Sequence, residues 1–234
     1  MAIIRFSDEE VFGTDSQEYE ILVNAVANVG QTPGAVVEIG TRRGGSAKMI
    51  IDTLVATNNN NRSMFCIDPY GNIDYPYTNK GLALHYGPDA VKEGDVDSVE
   101  TITPIKLGYD NEMRNRTIPS LYYYAYNAGL NFTFFCLEDT EFFNRYADGV
   151  PVYDEYKTLE SEYAFVFFDG PHDNKSLNVE CEFFVKRAPI GAVFVFDDIG
   201  MYEHDKVVEQ DWMFANGFEL LTKGVTKASY IKRK

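Results

Sequence analysis

The chain has 234 residues, 45% of them hydrophobic, which is ample for the core of one large α/β domain. Its formal net charge of −15 argues against binding a nucleic-acid backbone or docking on anionic lipid, and the one basic cluster, Lys232-Arg233-Lys234, reads as a solvated tail. No signal-peptide stretch follows Met1, no window approaches the roughly 20 apolar residues of a membrane helix, and Cys66, Cys136 and Cys181 are too widely spaced for a zinc pair, so a soluble cytoplasmic protein with small, buried cysteines is expected.

Residues 16–29 place Leu22, Ala25, Val26 and Val29 on one side of a helix that ends near Gly30. Pro33-Gly34 turns the chain into a strand, 35–39. The loop Gly40-Thr41-Arg42-Arg43-Gly44-Gly45 follows, then a helix with Ala47, Ile50, Ile51, Leu54 and Val55 on one side. After the polar loop 58–61 comes a second short strand ending at Asp68. Strand, helix and strand in this short span make a right-handed βαβ unit.

Residues 69–130 break the rhythm with Tyr, Gly, Asn, Pro and charge. A structureless loop of that length would be unusual, so an insert or lid with its own elements is expected there. It includes a helix from about Thr117 to Gly129, with Pro119 in its first turn. The run 132–137 resumes the sheet, a helical segment starts near Thr140, and an apolar strand runs from Tyr163 to Asp169. Asp173 or Asn174 can cap the next helix, whose buried stripe is Leu177, Cys181, Phe184, Val185 and Ala188. A fifth strand, 192–196, ends at Asp197-Asp198. A helix over about 203–215 and an antiparallel hairpin, 218–221 with 225–231, close the chain.

Apolar runs without polar alternation read as strands buried on both faces, and ligands bind at the carboxyl edge of such sheets. Two neighbouring strands ending in acid would put Asp169, Asp197 and Asp198 around one small volume. Carboxylates packed so closely repel, and the arrangement asks for a cation or a proton. The first loop lacks the second glycine of a G-x-G-x-x-G dinucleotide motif. Its Glu38-x-Gly40-x-x-x-Gly44 pattern resembles motif I of the class I S-adenosylmethionine-dependent methyltransferases; a plain tight turn is the other reading. Asp68 can accept hydrogen bonds from adenosyl ribose hydroxyls, or cap the turn before Pro69. Glu138 and Asp139 can reach an adenine amino group, or cap a helix.

Asp169-Gly-Pro-His172 and Val-Phe-Asp197-Asp198-Ile are similar to the branch that includes the macrocin and novobiocin sugar O-methyltransferases, over about 35–70 and 131–231. The resemblance implies a Rossmann-like seven-stranded mixed sheet, mostly parallel with a reversed final strand and helices on both faces. It implies S-adenosylmethionine held by Glu38, Gly40, Thr41, Gly44, Asp68, Glu138 and Asp139. It also implies Mg2+ held by Asp169, Asp197 and Asp198, orienting hydroxyls of a small molecule or sugar. Where some relatives carry a second carboxylate as base this chain has Pro171, which leaves Asp169 and His172 as the catalytic candidates, His172 equally readable as a loop-bracing residue. The branch often dimerises, which implies a homodimer. His85 and His204 read as structural. The tyrosines of 121–126 read as core packing or as an aromatic wall for substrate, and Arg114 and Arg116 as solvated charges or as contacts to an acidic substrate. A metal-independent or hydroxylase-type relative, or a binding protein that keeps the fold without turnover, are the alternatives.

Overall fold

Five apolar runs become parallel strands in the computed structural model, which describes residues 12–14, 16–71, 75–78, 101–105, 110–171, 174–199 and 210–234. They are β1 (Ala35–Ile39), β2 (Ser63–Ile67), β5 (Asn131–Phe135), β8 (Tyr163–Phe168) and β9 (Val193–Phe196). Every residue of β1, β2, β8 and β9 is buried, as strands covered on both faces must be. With β10 (Phe218–Lys223) and β11 (Ala228–Lys232) they form one seven-stranded sheet, in the order β10-β11-β9-β8-β1-β2-β5. β11 runs against both of its neighbours, β9 and β10. The chain builds outward from β1 through β2 to β5, then crosses back to β8. The strand order therefore switches between β1 and β8, where an open sheet leaves a crevice at its carboxyl edge.

Helices cover both faces. On one side α1 (Tyr19–Asn28), α2 (Gly45–Ala56) and α3 (Asn111–Asn127) bring Leu22, Ile50 and Leu121 into a cluster with Val36, Cys66 and Phe167. On the other, α4 (Asp139–Arg145), α5 (Asn174–Val185) and α6 (Gln210–Ala215) bring Phe142, Phe184 and Met213 against Val37, Phe168 and Phe196. Phe168 stacks on Phe196 with centroids 4.7 Å apart, and Phe184 meets Phe168 edge-on at 5.8 Å. Each such side chain contributes about 1.5–3 kcal/mol by burial, which fixes the ends of β8 and β9 side by side.

Several expectations need correction. α3 begins at Asn111 rather than near Thr117, because Asp110 caps it by accepting the Met113 N–H at 2.8 Å. Pro119 thus lies inside the helix. Leu121 and Ala125 are fully buried, so 111–127 is the crossover helix between β2 and β5. Earlier in the expected insert, β3 (Tyr75–Thr78) pairs antiparallel with β4 (Thr101–Ile105). The tyrosines of α3 divide: Tyr124 is half-buried and packs against the core, whereas Tyr122, Tyr123 and Tyr126 are exposed, because Leu121 and Ala125 already define the buried stripe. Arg116 pairs with Glu112 one turn away.

The hairpin of β6 (Val150–Tyr153) and β7 (Lys157–Glu160), short and half polar, carries no clear strand pattern in the sequence. Cys66 and Cys181 are buried as expected, but Cys136 is exposed because β5 stops one residue before it. Asn174 opens α5, while Asp173 lies outside the described residues, as does most of the expected 203–215 helix. No helix among the described residues is long and apolar enough to cross a membrane.

Candidate active site

Gly40 ends β1 at the switch point. Its φ is +82°, and a Cβ placed on it would lie 1.9 Å from the Asp169 carbonyl oxygen. Only glycine lets β1 and β8 approach so closely. Gly44, at φ +78°, turns the loop into α2 beneath Leu121 and Thr117. Asp68, at the end of β2, ties this loop down. Its Oδ2 accepts the N–H groups of Thr41 (3.0 Å) and Arg42 (2.9 Å), and its Oδ1 accepts that of Tyr70 (3.0 Å). Burial raises the Asp68 carboxyl to about 6 against the opposing pull of these N–H groups. The Tyr70 hydroxyl closes the loop by donating to the Arg42 carbonyl at 2.5 Å. Asp68 is therefore first a brace for the glycine loop; with three of its acceptor positions used, it keeps room for one further donor.

Glu38 is wholly buried and sits beside Cys66 in register, with the thiol donating to Oε2 at 3.4 Å. Burial raises its carboxyl to about 7, although the hydroxyls of Ser46 and Thr41 and the Cys66 thiol favour the charged form. Its Oε1 is left without a well-formed hydrogen bond, as is the buried Thr41 hydroxyl. At the end of β5, Glu138 is exposed and its N–H donates to Glu141 Oε2 at 3.3 Å as α4 begins. Asp139 Oδ1 accepts the Thr140 N–H at 2.6 Å, while its buried Oδ2 has no partner among the described residues. Buried acceptors left open along the ends of β1 and β5 suit a ligand that brings N–H and O–H donors.

The acidic edge lies directly beside this loop. The Asp169 N–H donates to Ile39 O and the Asp197 N–H to Phe168 O, each at 3.0 Å, so the two residues are pinned to adjacent strand ends. Burial, then the nearby Asp197 and Asp198 carboxylates, hold the Asp169 carboxyl well above the usual range. Asp198 adopts a left-handed φ of +52°, a conformation that aspartate tolerates better than most residues.

The acidic edge asks for a cation or a proton, and the fold places an ammonium beside it. Lys227 Nζ lies 2.6 Å from Asp197 Oδ1, with both side chains essentially unexposed. The β9–β11 register explains the pairing: Ala228 stands opposite Phe196, which puts Lys227 opposite Asp197. The ammonium also donates to Ser16 Oγ (2.5 Å) and the Gln17 carbonyl (2.7 Å), and Tyr19 presents its ring 4.7 Å away. Glu18, at a left-handed φ of +54°, locks this arrangement by accepting the N–H groups of Val225, Thr226 and Lys227 and the Thr226 hydroxyl. These backbone and hydroxyl donors hold its carboxyl below the usual value against a partial opposing effect of burial. Residues 12–14 and 16–18 thus form a strap. Phe12 meets Tyr124 on α3 at 5.5 Å, Gly13 and Thr14 cover Gly45, and 16–18 grip the 224–227 turn.

The expected Mg2+ would have to share Asp197 with donors already in place. Asp197 Oδ1 already accepts the Lys227 ammonium, the Ser16 hydroxyl at 2.9 Å and the Asp198 N–H at 2.8 Å. Among the described residues no three acids, histidines or cysteines are grouped to hold a metal ion. His172, the other expected base, lies outside the described residues, as do His85 and His204. Lys227, Ser16, Glu18 and Tyr70 escaped sequence reading. A lysine near a hairpin turn ordinarily reads as solvated, and only the strand register reveals its partner.

A doubly wound sheet of this order, with a glycine loop and acids along its carboxyl edge, defines the S-adenosylmethionine-binding class of α/β transferases. The chain belongs to the family described as a methyltransferase domain, whose model matches residues 37–199, more than half its length. It is an S-adenosylmethionine-dependent methyltransferase. Among solved structures, it is similar to the O-methyltransferase NovP at 18% identity and a TM-score of 0.55, covering 92% of this chain and 79% of that one. CalS11, a calicheamicin methyltransferase, is similar at 12% identity and a TM-score of 0.55, with 91% and 78% covered. Cofactor-bound Rv0187 from MTB is similar at 12% and 0.51, with 97% and 86% covered. At these identities the likeness is one of fold. No curated protein matches the chain by sequence.

Proposed function

We propose that the protein methylates a hydroxyl oxygen of a small molecule, a sugar or similar polyol, at the crevice between β1 and β8. The observation that carries this reading is the contact of the glycine loop with the acidic edge, where Gly40 abuts the backbone of Asp169. Methyl acceptor and proton acceptor then lie beside the donor site. Bound S-adenosylmethionine supplies an electrophilic sulfonium methyl group. Glu38 and Asp139 offer open acceptors to its donor groups, Asp68 holds the loop with one acceptor position left for a ribose hydroxyl, and Thr41, Gly40 and Gly44 shape the cradle. Glu138 remains a contact at the mouth.

Asp169 is the proton acceptor. As the substrate oxygen forms its bond to the methyl carbon and the C–S electron pair stays on sulfur, the hydroxyl proton passes to the Asp169 carboxylate. A carboxyl with raised proton affinity suits that task. Positioning then supplies most of the rate enhancement. The net charge of −15 favours a small neutral or cationic acceptor over nucleic acid.

The test is thermal unfolding with S-adenosylhomocysteine, with NAD as control. At a ligand concentration about 100 times Kd the complex is stabilised by about 2.7 kcal/mol, a rise of several degrees in Tm. NAD should leave Tm unchanged. An unchanged Tm with S-adenosylhomocysteine would refute the cofactor assignment.

A further inference from the structure

We propose that Lys227 is the resident cation of the reaction site, taking the place a divalent metal would otherwise hold against Asp169, Asp197 and Asp198. This rests on reading the acidic edge as the place of methyl transfer. A surface lysine near an aspartate would not support the claim, because such pairs form and break freely. Lys227 differs in that its side chain is 0% exposed and that of Asp197 is 1% exposed.

All three ammonium protons are used, on Asp197 Oδ1, Ser16 Oγ and the Gln17 carbonyl. A fully satisfied buried ammonium has nowhere better to go. Its place is also fixed from outside the pair. Strand register sets Lys227 opposite Asp197, and Glu18 holds the Val225, Thr226 and Lys227 backbone from the strap.

The positive charge is thus built into the fold rather than recruited. A dication set among the same carboxylates would lie next to the ammonium and be repelled by it. Lys227 acts through Asp197: its ammonium holds Oδ1 and keeps that carboxylate turned to one side. The buried Asp197 Oδ2, with no hydrogen-bond partner among the described residues, and Asp169 are left as the acceptors for a substrate hydroxyl. Lys227 is in this sense a positioning residue.

Mn2+, a hard dication that favours oxygen ligands as Mg2+ does, provides the probe. The full-length protein is titrated with Mn2+ and followed by electron paramagnetic resonance, with S-adenosylhomocysteine binding measured on the same samples by calorimetry, with and without chelator. The wild type should show no saturable Mn2+ site below about 1 mM, and its S-adenosylhomocysteine affinity should not change with chelator. Lys227→Met, which frees the carboxylates, should gain Mn2+ affinity by about tenfold or more. Lys227→Arg, which keeps the charge, should gain none.

A stoichiometric Mn2+ site in the wild type that Asp197→Asn abolishes would overturn the proposal. So would a folded Lys227→Met that gains no metal affinity. If Lys227→Met does not fold, the wild-type titration decides alone. Failure to bind S-adenosylhomocysteine would count against the methyl-transfer reading, while the Mn2+ titration reads the lysine claim independently.

Discussion

Gly40→Ala tests the geometry on which the whole site depends. The added Cβ would lie 1.9 Å from the Asp169 carbonyl oxygen, 2.5 Å from its carbon and 2.9 Å from the Gly170 nitrogen. All three are backbone atoms, so no rotamer change relieves the overlap. Reaching an ordinary contact of about 3.4 Å means parting β1 from β8 by roughly 1.5 Å, enough to break the Asp169 N–H bond to Ile39 O. Overpacking costs about 1–3 kcal/mol, the left-handed backbone with a Cβ about 1–2, and a lost hydrogen bond about 1. The sum, about 3–6 kcal/mol, lowers Tm by roughly 6–24 °C for a chain of this size. Gly30→Ala is the control, since Gly30 is also left-handed, at φ +51°, but a Cβ there meets nothing within 4 Å. It should lose only the conformational part, about 1–2 kcal/mol. Urea unfolding at constant m and calorimetry with S-adenosylhomocysteine measure both variants. If Gly40→Ala costs no more than Gly30→Ala and binds the ligand as well as wild type, the close approach of the strands does not matter and the reasoning fails.

Two further predictions concern acids. Glu38 binds its proton more tightly folded than unfolded, so its contribution does not oppose folding below about 4.5, and stability falls as pH rises through the window to about 7. That shift corresponds to about 3 kcal/mol, so Glu38→Gln should flatten this part of the pH–stability curve, stabilise the ligand-free protein at pH 8 and weaken S-adenosylhomocysteine binding; an unaltered slope counts against it. Glu18 behaves oppositely, because its lowered pKa adds stability above the usual carboxylate range that is lost as pH falls below it. Glu18→Gln should cost about 1–2 kcal/mol at pH 7 through weakened hydrogen bonds, and the gap from wild type should narrow at pH 3.5 in denaturant titrations; a gap independent of pH would mean that the carboxylate charge contributes nothing.

The strands that carry the site were readable because burial on both faces leaves only apolar residues, and each run stops at the acid that marks the sheet edge. β2, β8 and β9 follow that rule, stopping at Asp68, Asp169 and Asp197, whereas β1 carries Glu38 inside the strand and stops at Gly40; the ends of β8 and β9 foretold which carboxylates would meet. Short, partly exposed elements do not obey it: β6 and β7 alternate too weakly to stand out, and Pro119 suggested a helix start where the stronger signal was the Asp110 cap. The counter-charge was hidden for a different reason. Asp197 advertises itself by ending a strand, whereas Lys227 matters only through the registration of a hairpin formed much later in the chain. Sequence periodicity reports which face a residue occupies but not which residue it will face across a ladder.

The strap of residues 16–18 has a kinetic consequence. Its bonds to the 225–227 turn span 207 to 211 residues, so the loop they close takes in most of the chain. During synthesis the parallel strands β1, β2, β5, β8 and β9 can assemble while Lys227 is still inside the ribosome, and at that stage three carboxylates converge with no ammonium among them. Such an intermediate would carry unbalanced negative charge at its sheet edge and an unpaired β9 flank, a species open to strand-to-strand association. Arrival of β11 eases both hazards in one step, covering the flank and pairing Asp197 with the Lys227 ammonium. Completion of the crevice is therefore coupled to synthesis of β11, and a ribosome-bound fragment lacking β11 should not yet hold the acidic edge in its final arrangement.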